Sequence, residues 1–185
     1  MNFNFIMQIQ SVAVFCGSKT GNNPLFARHT AELGKYIGLL KLKLIYGGGN
    51  VGLMGLVADT VLAEGGTVIG IIPELLKEWE HHHKGISELH IVPDMHIRKK
   101  MMYERSDAAI ILPGGFGTLD ELFEMVTWNQ LKIHIKKIYV LNSGGFYNHL
   151  LLHLRNLEKE GFLYDPIDER ISFCDSPVEI FNHIG

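Results

Sequence analysis

Pro113-Gly114-Gly115-Phe116-Gly117-Thr118-Leu119-Asp120-Glu121 joins a glycine-rich turn to the start of a helix. It follows an apolar run at 108–112 that reads as a buried strand. The three glycines leave the backbone uncovered, so an anion can approach its N–H groups, and a helix beginning near Thr118 adds its positive dipole end. Such a turn suits a phosphate. It also places the carboxylate of Glu121, one turn into the expected helix, beside whatever carries that phosphate. The bland alternative is a capping box, Thr118-x-x-Glu121, in which Thr118 caps the helix and Glu121 reaches back. A second cluster, Gly47-Gly48-Gly49-Asn50-Val51-Gly52-Leu53-Met54-Gly55, occupies an equivalent place between an apolar run at 42–46 and a helical segment. Capping requires no glycine at these positions. Close approach of the backbone to a ligand accounts better for eight of them in two strand-to-helix turns, and it puts Gly48 and Gly49 beside that ligand with Gly114, Gly115 and Gly117.

Outward from these turns, short apolar runs recur at 12–16, 42–46, 67–72, 89–92, 108–112 and 137–141, mostly without polar alternation. They predict strands buried on both faces. Segments with helical spacing alternate with them at 24–40, 53–64, 95–106, 118–131 and 146–160. The alternation predicts an α/β, Rossmann-like doubly wound parallel sheet with helices on both faces and ligands at the carboxyl ends of the strands. Asn23-Pro24 fits an N-cap and first helical position, and Ser176-Pro177-Val178-Glu179 fits a capping box opening a short terminal helix.

The chain has 185 residues, 46% hydrophobic and 20% charged, which suits one globular domain. The expected organisation is an N-terminal extension at 1–10 and a single nucleotide-binding catalytic domain at 11–185. A formal charge of −3 and the absence of a basic stripe argue against a nucleic-acid polymer as partner. Two cysteines, Cys16 and Cys174, make no disulfide framework and read as reduced packing residues. No basic leader precedes a long apolar core in residues 1–10, and no run reaches the roughly 20 apolar residues of a membrane span. The expectation is a cytoplasmic protein with no membrane partner, starting at Met1 or Met7.

Other constellations carry less. Gly47-x-Gly49-x-x-Gly52 matches a dinucleotide fingerprint in form, but it lies in the second strand-helix unit, and the following strand ends without an acidic residue. His81, His82 and His83 point in different directions and lack ligand spacing, so they read as a solvated loop and no metal is expected. His134, His149 and His153 stand singly. In Arg98-Lys99-Lys100, successive side chains step about 100° around a helix, so only one or two can face a ligand. Met125, Trp128 and Leu131 form a stripe that suits a core or a subunit contact. A homodimer packed through that helix would bring the partner near Glu121.

PGGFGTLDE, GGGNVGLMG and MHIRKKMM together resemble the LONELY GUY family, and the similarity covers nearly the whole chain from Val12 to Leu163. Members are cytokinin riboside 5′-monophosphate phosphoribohydrolases, and many bacterial relatives were labelled lysine decarboxylases. The resemblance implies a Rossmann-like fold, a homodimer, and hydrolysis of the N-glycosidic bond of an adenine-type nucleoside 5′-monophosphate, with no cofactor. Carried over by motif, Arg98 and Glu121 are the catalytic pair. Glu80, Lys99, Gly115, Phe116, Gly117, Thr118, Leu119, Asp120 and Thr127 line the nucleotide site. The assignment of Glu80 falls in a loop, LLKEWEHHHKG, that differs from the usual one. Lys132 and Lys137 stand where the family usually has Gly and Pro.

The chemistry of the residues agrees with that implication. Breaking a bond at the anomeric carbon develops positive charge on the ribose, which a fixed carboxylate stabilises or relieves by activating water. A helix N-terminus favours the ionised form of Glu121. Phosphate held by the turn's amides would orient the sugar, and Arg98 would offset phosphate charge or orient the carboxylate. The competing expectation is a nonenzymatic nucleotide- or phosphosugar-binding module on the same fold. A decarboxylase is poorly supported, since no lysine stands in a recognisable pyridoxal-phosphate context.

Overall fold

The computed structural model describes residues 9–77 and 81–184. Its strands are β1 (Ser11–Phe15), β2 (Lys43–Tyr46), β3 (Thr67–Pro73), β4 (Glu88–Val92), β5 (Ala108–Ile111), β6 (Lys137–Leu141) and β7 (Ile171–Cys174). The helices are α1 (Pro24–Leu39), α2 (Gly52–Ala63), α3 (Met95–Glu104), α4 (Phe116–Gln130), α5 (Asn148–Lys159), α6 (Ile167–Arg170) and α7 (Pro177–Ile184). The strands form one parallel sheet in the order β4-β3-β2-β1-β5-β6-β7. The strand order reverses between β1 and β5, as it does at the centre of a Rossmann sheet.

Burial on both faces explains the unbroken apolar runs. Along β1, Val12 and Val14 point into a cluster with Leu33 and Ile37 of α1 and Val57 and Val61 of α2. Ala13 and Phe15 point the other way, toward Met102 of α3, Leu122 of α4 and Leu154 of α5. Each buried Leu or Ile contributes about 1.5 to 3 kcal/mol relative to exposure. Six strands and five long helices fall within one or two residues of their expected bounds. The edge strand β7 escaped the reading of the sequence, because Ile171-Ser172-Phe173-Cys174 is short and its middle pair is only half-buried.

Local caps follow side-chain chemistry. Asn23 accepts the Leu25 N–H at 2.9 Å with Pro24 opening α1. Glu179 accepts the Asp175 N–H at 2.9 Å and the Ser176 hydroxyl at 3.1 Å before α7. In the histidine loop His81 is exposed as expected, and His83 departs from that expectation. His83 is buried, its Nε2 lies 2.9 Å from Asp59 Oδ1 on α2, and its Nδ1 accepts the Gly85 N–H at 3.0 Å. It latches the loop to the body rather than meeting solvent.

Candidate functional site

At the reversal between β1 and β5, two connections leave the sheet on the same edge and open a cleft. They are zipped together first: Leu112 N–H donates to the Phe15 carbonyl at 2.9 Å, and Gly17 N–H to the Pro113 carbonyl at 3.0 Å. Leu53 N–H donates to the Gly17 carbonyl at 3.1 Å, which ties the start of α2 to the same turn. From beneath, the Tyr147 hydroxyl donates to the Leu112 carbonyl at 2.7 Å.

α4 begins at Phe116 with Gly115 as its N-cap and no side-chain cap, two residues earlier than the sequence suggested. Thr118 is therefore the third helical residue and Glu121 the sixth, so the Thr118-x-x-Glu121 capping box does not form. Its earlier start also moves Glu121 beyond the first turn, where the dipole effect on a carboxylate fades. The amides gain what the carboxylate loses. The first intrahelical bond is Leu119 N–H to the Gly115 carbonyl at 3.1 Å. Phe116, Gly117 and Thr118 N–H groups precede it and are the orphan donors of the helix start. A methyl placed on Gly115 or Gly117 would meet nothing within 4 Å, so the space over these amides is open. Open amides at a helix start are suited to an anion.

The opposite wall comes from α3, which opens with Asp94 accepting the Ile97 N–H at 2.8 Å. Met95, Arg98 and Met102 recur at helical spacing and all line the cleft. Arg98 is 5% exposed, and one guanidinium nitrogen, Nη1, lies 3.6 Å from Met95 Sδ. Its guanidinium also lies where a Gly47 side chain would be, so a larger residue there would displace Arg98. Glu121, 9% exposed, faces the same space from α4. The cleft encloses about 280 Å³. A neighbouring cleft of about 330 Å³ shares Gly17, Ser18 and Gly115 with it and is walled by Phe26 and Phe146.

Arg98, Glu121, Gly115, Phe116, Gly117 and Thr118 are thus brought together. Gly114 lies in the neighbouring cleft, packed against Thr118 and Gly17. Other expected site residues stand elsewhere. Gly48, with φ of +80°, packs against Ile72 and Leu89, and Gly49 pairs with His82 in an isolated bridge, while Gly47 and Met54 of the same cluster line the cleft. The ammonium of Lys99 pairs with Asp120 and Glu124. Leu119 is half-buried and packs on the core beneath the cleft, while Thr127 is exposed on α4, away from the chain's own cavity. Glu80 lies outside the described residues. The sequence reading missed Ser18, Met95 and Met102. The i, i+3, i+7 spacing of Met95 and Met102 around Arg98 was the available signal. Among the described residues, no group of three or more His, Cys, Asp or Glu side chains is placed to hold a metal.

Comparison with known proteins supplies the remaining evidence. A family model described as possible lysine decarboxylase matches residues 54–184. The chain is 43% identical over 168 residues to a cytokinin riboside 5′-monophosphate phosphoribohydrolase of Rhodococcoides fascians, covering 89% of this chain and 84% of that protein. It is 46% identical over 174 residues to a probable cytokinin riboside 5′-monophosphate phosphoribohydrolase of Arabidopsis thaliana, covering 94% and 87%. Among solved structures, a molybdenum cofactor binding protein of Rippkaea orientalis superposes with a TM-score of 0.70 at 22% identity over 96% of this chain and 98% of that one, a likeness of fold alone.

Proposed function

The chain belongs to the LONELY GUY family, and from that premise we propose that it hydrolyses the N-glycosidic bond of an adenosine 5′-monophosphate, prenylated on N6 or plain, to free base and ribose 5-phosphate. The observation that supports this best is the pairing, in one cleft, of open amides at the start of α4 with the carboxylate of Glu121 and the guanidinium of Arg98. The amides of Phe116, Gly117 and Thr118 hold the phosphate, so binding energy from a group that does not react fixes the ribose. As the bond from C1′ to the base nitrogen breaks, its electron pair leaves with the base and positive charge spreads over C1′ and the ring oxygen. Glu121 stabilises that charge and takes a proton from the water that adds to C1′, and a proton is taken up by the base nitrogen, so that one water is consumed and Glu121 returns to its carboxylate. Arg98 balances the negative charge that phosphate and carboxylate bring into a confined space.

In this reading two copies form a homodimer through the exposed face of α4. Thr127, which the resemblance assigns to the nucleotide, reaches it from the second copy. No helix among the described residues is long and apolar enough to cross a membrane. A cytoplasmic location suits Cys16 and Cys174, both buried thiols.

The test is base release from adenosine monophosphate and its prenylated form, followed by chromatography. Glu121→Gln should lower kcat by at least about 100-fold while circular dichroism and the urea midpoint stay near wild type. Wild-type turnover in the variant would remove Glu121 from this role, and tight nucleotide binding without turnover by the wild type would leave a binding module.

A further inference from the structure

Pro113, Gly114 and Gly115 carry the chain from β5 to α4 with little side-chain material, so the path of this turn is set through backbone groups. Gly17 N–H donates to the Pro113 carbonyl at 3.0 Å on one side. On the other stands Tyr147, only 3% exposed. Its hydroxyl donates to the Leu112 carbonyl at 2.7 Å and accepts a hydrogen bond from the Gly114 backbone N–H. A phenol has one donor and free lone pairs, so a single oxygen serves both neighbours of Pro113, which has no N–H of its own.

Tyr147 is itself anchored at the ends of β6 and β7. Its N–H donates to Asn142 Oδ1 at 2.8 Å, and Asn142 Nδ2 donates to Asn148 Oδ1 at 2.8 Å and to Asp175 Oδ1 at 3.3 Å. The Asn142 N–H donates to the Cys174 carbonyl at 2.7 Å. Gly144 and Gly145, with φ of +58° and +75°, turn the chain between Asn142 and Tyr147. The Tyr147 ring meets Phe146 edge to face at 4.7 Å, and Phe146 meets Phe26 of α1 at 5.3 Å. A strut therefore runs from the β6–β7 edge of the sheet to the start of α4. Tyr147 lies outside the lining of the cleft that holds Arg98 and Glu121, so it reaches the substrate only through the turn. We infer that Tyr147 is a positioning residue: its hydroxyl sets the path of Leu112 to Gly114 and so aims the amides of Phe116, Gly117 and Thr118 at the phosphate. This rests on the proposed hydrolysis. Donors held in place beforehand bind without the cost of ordering a glycine turn at each encounter. Arg98 stands on α3 and Glu121 one turn further along α4, so binding depends on the strut more than the chemical step does.

The experiment compares the wild type, Tyr147→Phe and Val61→Ala. Ribose 5-phosphate is titrated by calorimetry, and turnover is measured with the better substrate of adenosine monophosphate and its prenylated form. Tyr147→Phe removes one oxygen and keeps the packed ring. It should weaken ribose 5-phosphate binding and raise KM about 5- to 20-fold, the worth of a buried hydrogen bond, while kcat changes less than about threefold. Val61→Ala lies in the core cluster of α1 and α2 and lowers the urea midpoint without touching the turn. It should leave binding and KM at their wild-type values. Unchanged ribose 5-phosphate binding in Tyr147→Phe overturns the inference, as does a loss confined to kcat. Equal weakening in Val61→Ala overturns it too, because the effect then follows from lost stability. A wild type that binds ribose 5-phosphate but releases no base sinks the hydrolytic reading alone, and Tyr147 is then judged by the same titration. A wild type that binds no ribose 5-phosphate overturns both.

Discussion

Gly114, Gly115 and Gly117 stand within four positions of one another and have different reasons to lack a side chain. A methyl on Gly114 would strike the Thr118 hydroxyl and come within 3.0 Å of Gly17 N, in a turn already zipped to β1. Gly114→Ala should therefore cost about 1 to 3 kcal/mol in urea unfolding. Gly117→Ala meets open space and fills a helix position where alanine is favoured, so stability should hold or rise by up to about 1 kcal/mol. Its methyl would project over the amides, and KM for the monophosphate should rise roughly tenfold or more, given what one displaced charge-assisted contact is worth. Equal KM in wild type and Gly117→Ala would remove the anion from this turn. The sequence shows a glycine but not its neighbour. Gly48 and Gly52 read identically to Gly115, yet they answer to Ile72 and to the backbone of Ser18 and Lys19, partners supplied only by the folded chain.

At the scale of elements, alternation was legible because a parallel sheet buried on both faces writes itself as apolar runs. Helix starts were less so. Thr118 looks like the better cap by side chain, but Gly115 is the N-cap and α4 starts at Phe116, 93% exposed, at the rim of the cleft. Latches between distant residues left no local trace, and Tyr147 is one of them. Its hydroxyl ties the β6–α5 connection to Leu112, while its N–H donates to Asn142 Oδ1 at 2.8 Å. Tyr147→Phe leaves the Leu112 carbonyl short of a donor and should lower stability by about 1 to 2 kcal/mol. His134 is another hidden group. It is buried after α4, and burial, followed by the charge of Lys136, lowers its pKa to about 4. The unfolded chain takes up a proton near the ordinary 6.5, before the folded one does. The contribution of neutral His134 is therefore complete above pH 6.5 and is lost as pH falls toward 4, on the order of 2 to 3 kcal/mol. Urea midpoints measured across that window should fall steeply in the wild type and more gently in His134→Gln. Parallel slopes would exonerate His134.

For the molecule as a whole, the sheet order gathers the cleft at its centre and leaves the outer face of α4 uncovered. Of the expected contact stripe, Met125 turns into the core and Leu131 stays exposed. Phe123 and Leu131 are exposed there, and the stretch that follows adds Ile133 and Ile135, the latter 80% exposed. Several large exposed apolar side chains along one stretch suit a surface that a partner covers. A twofold pair would bury it against its own copy, the arrangement most common among homo-oligomers. The wild type should elute as a dimer in light scattering at micromolar concentration. Leu131→Glu with Ile135→Lys, which places charges into the buried centre, should weaken association at least about 100-fold. If Thr127 of one copy completes the site of the other, as proposed, the monomer so produced should keep its urea stability within about 1 kcal/mol while losing turnover. A wild-type monomer with full activity would sink the dimer and return Thr127 to an ordinary surface position. A dissociated variant with full activity would instead show that each cleft is complete within one chain.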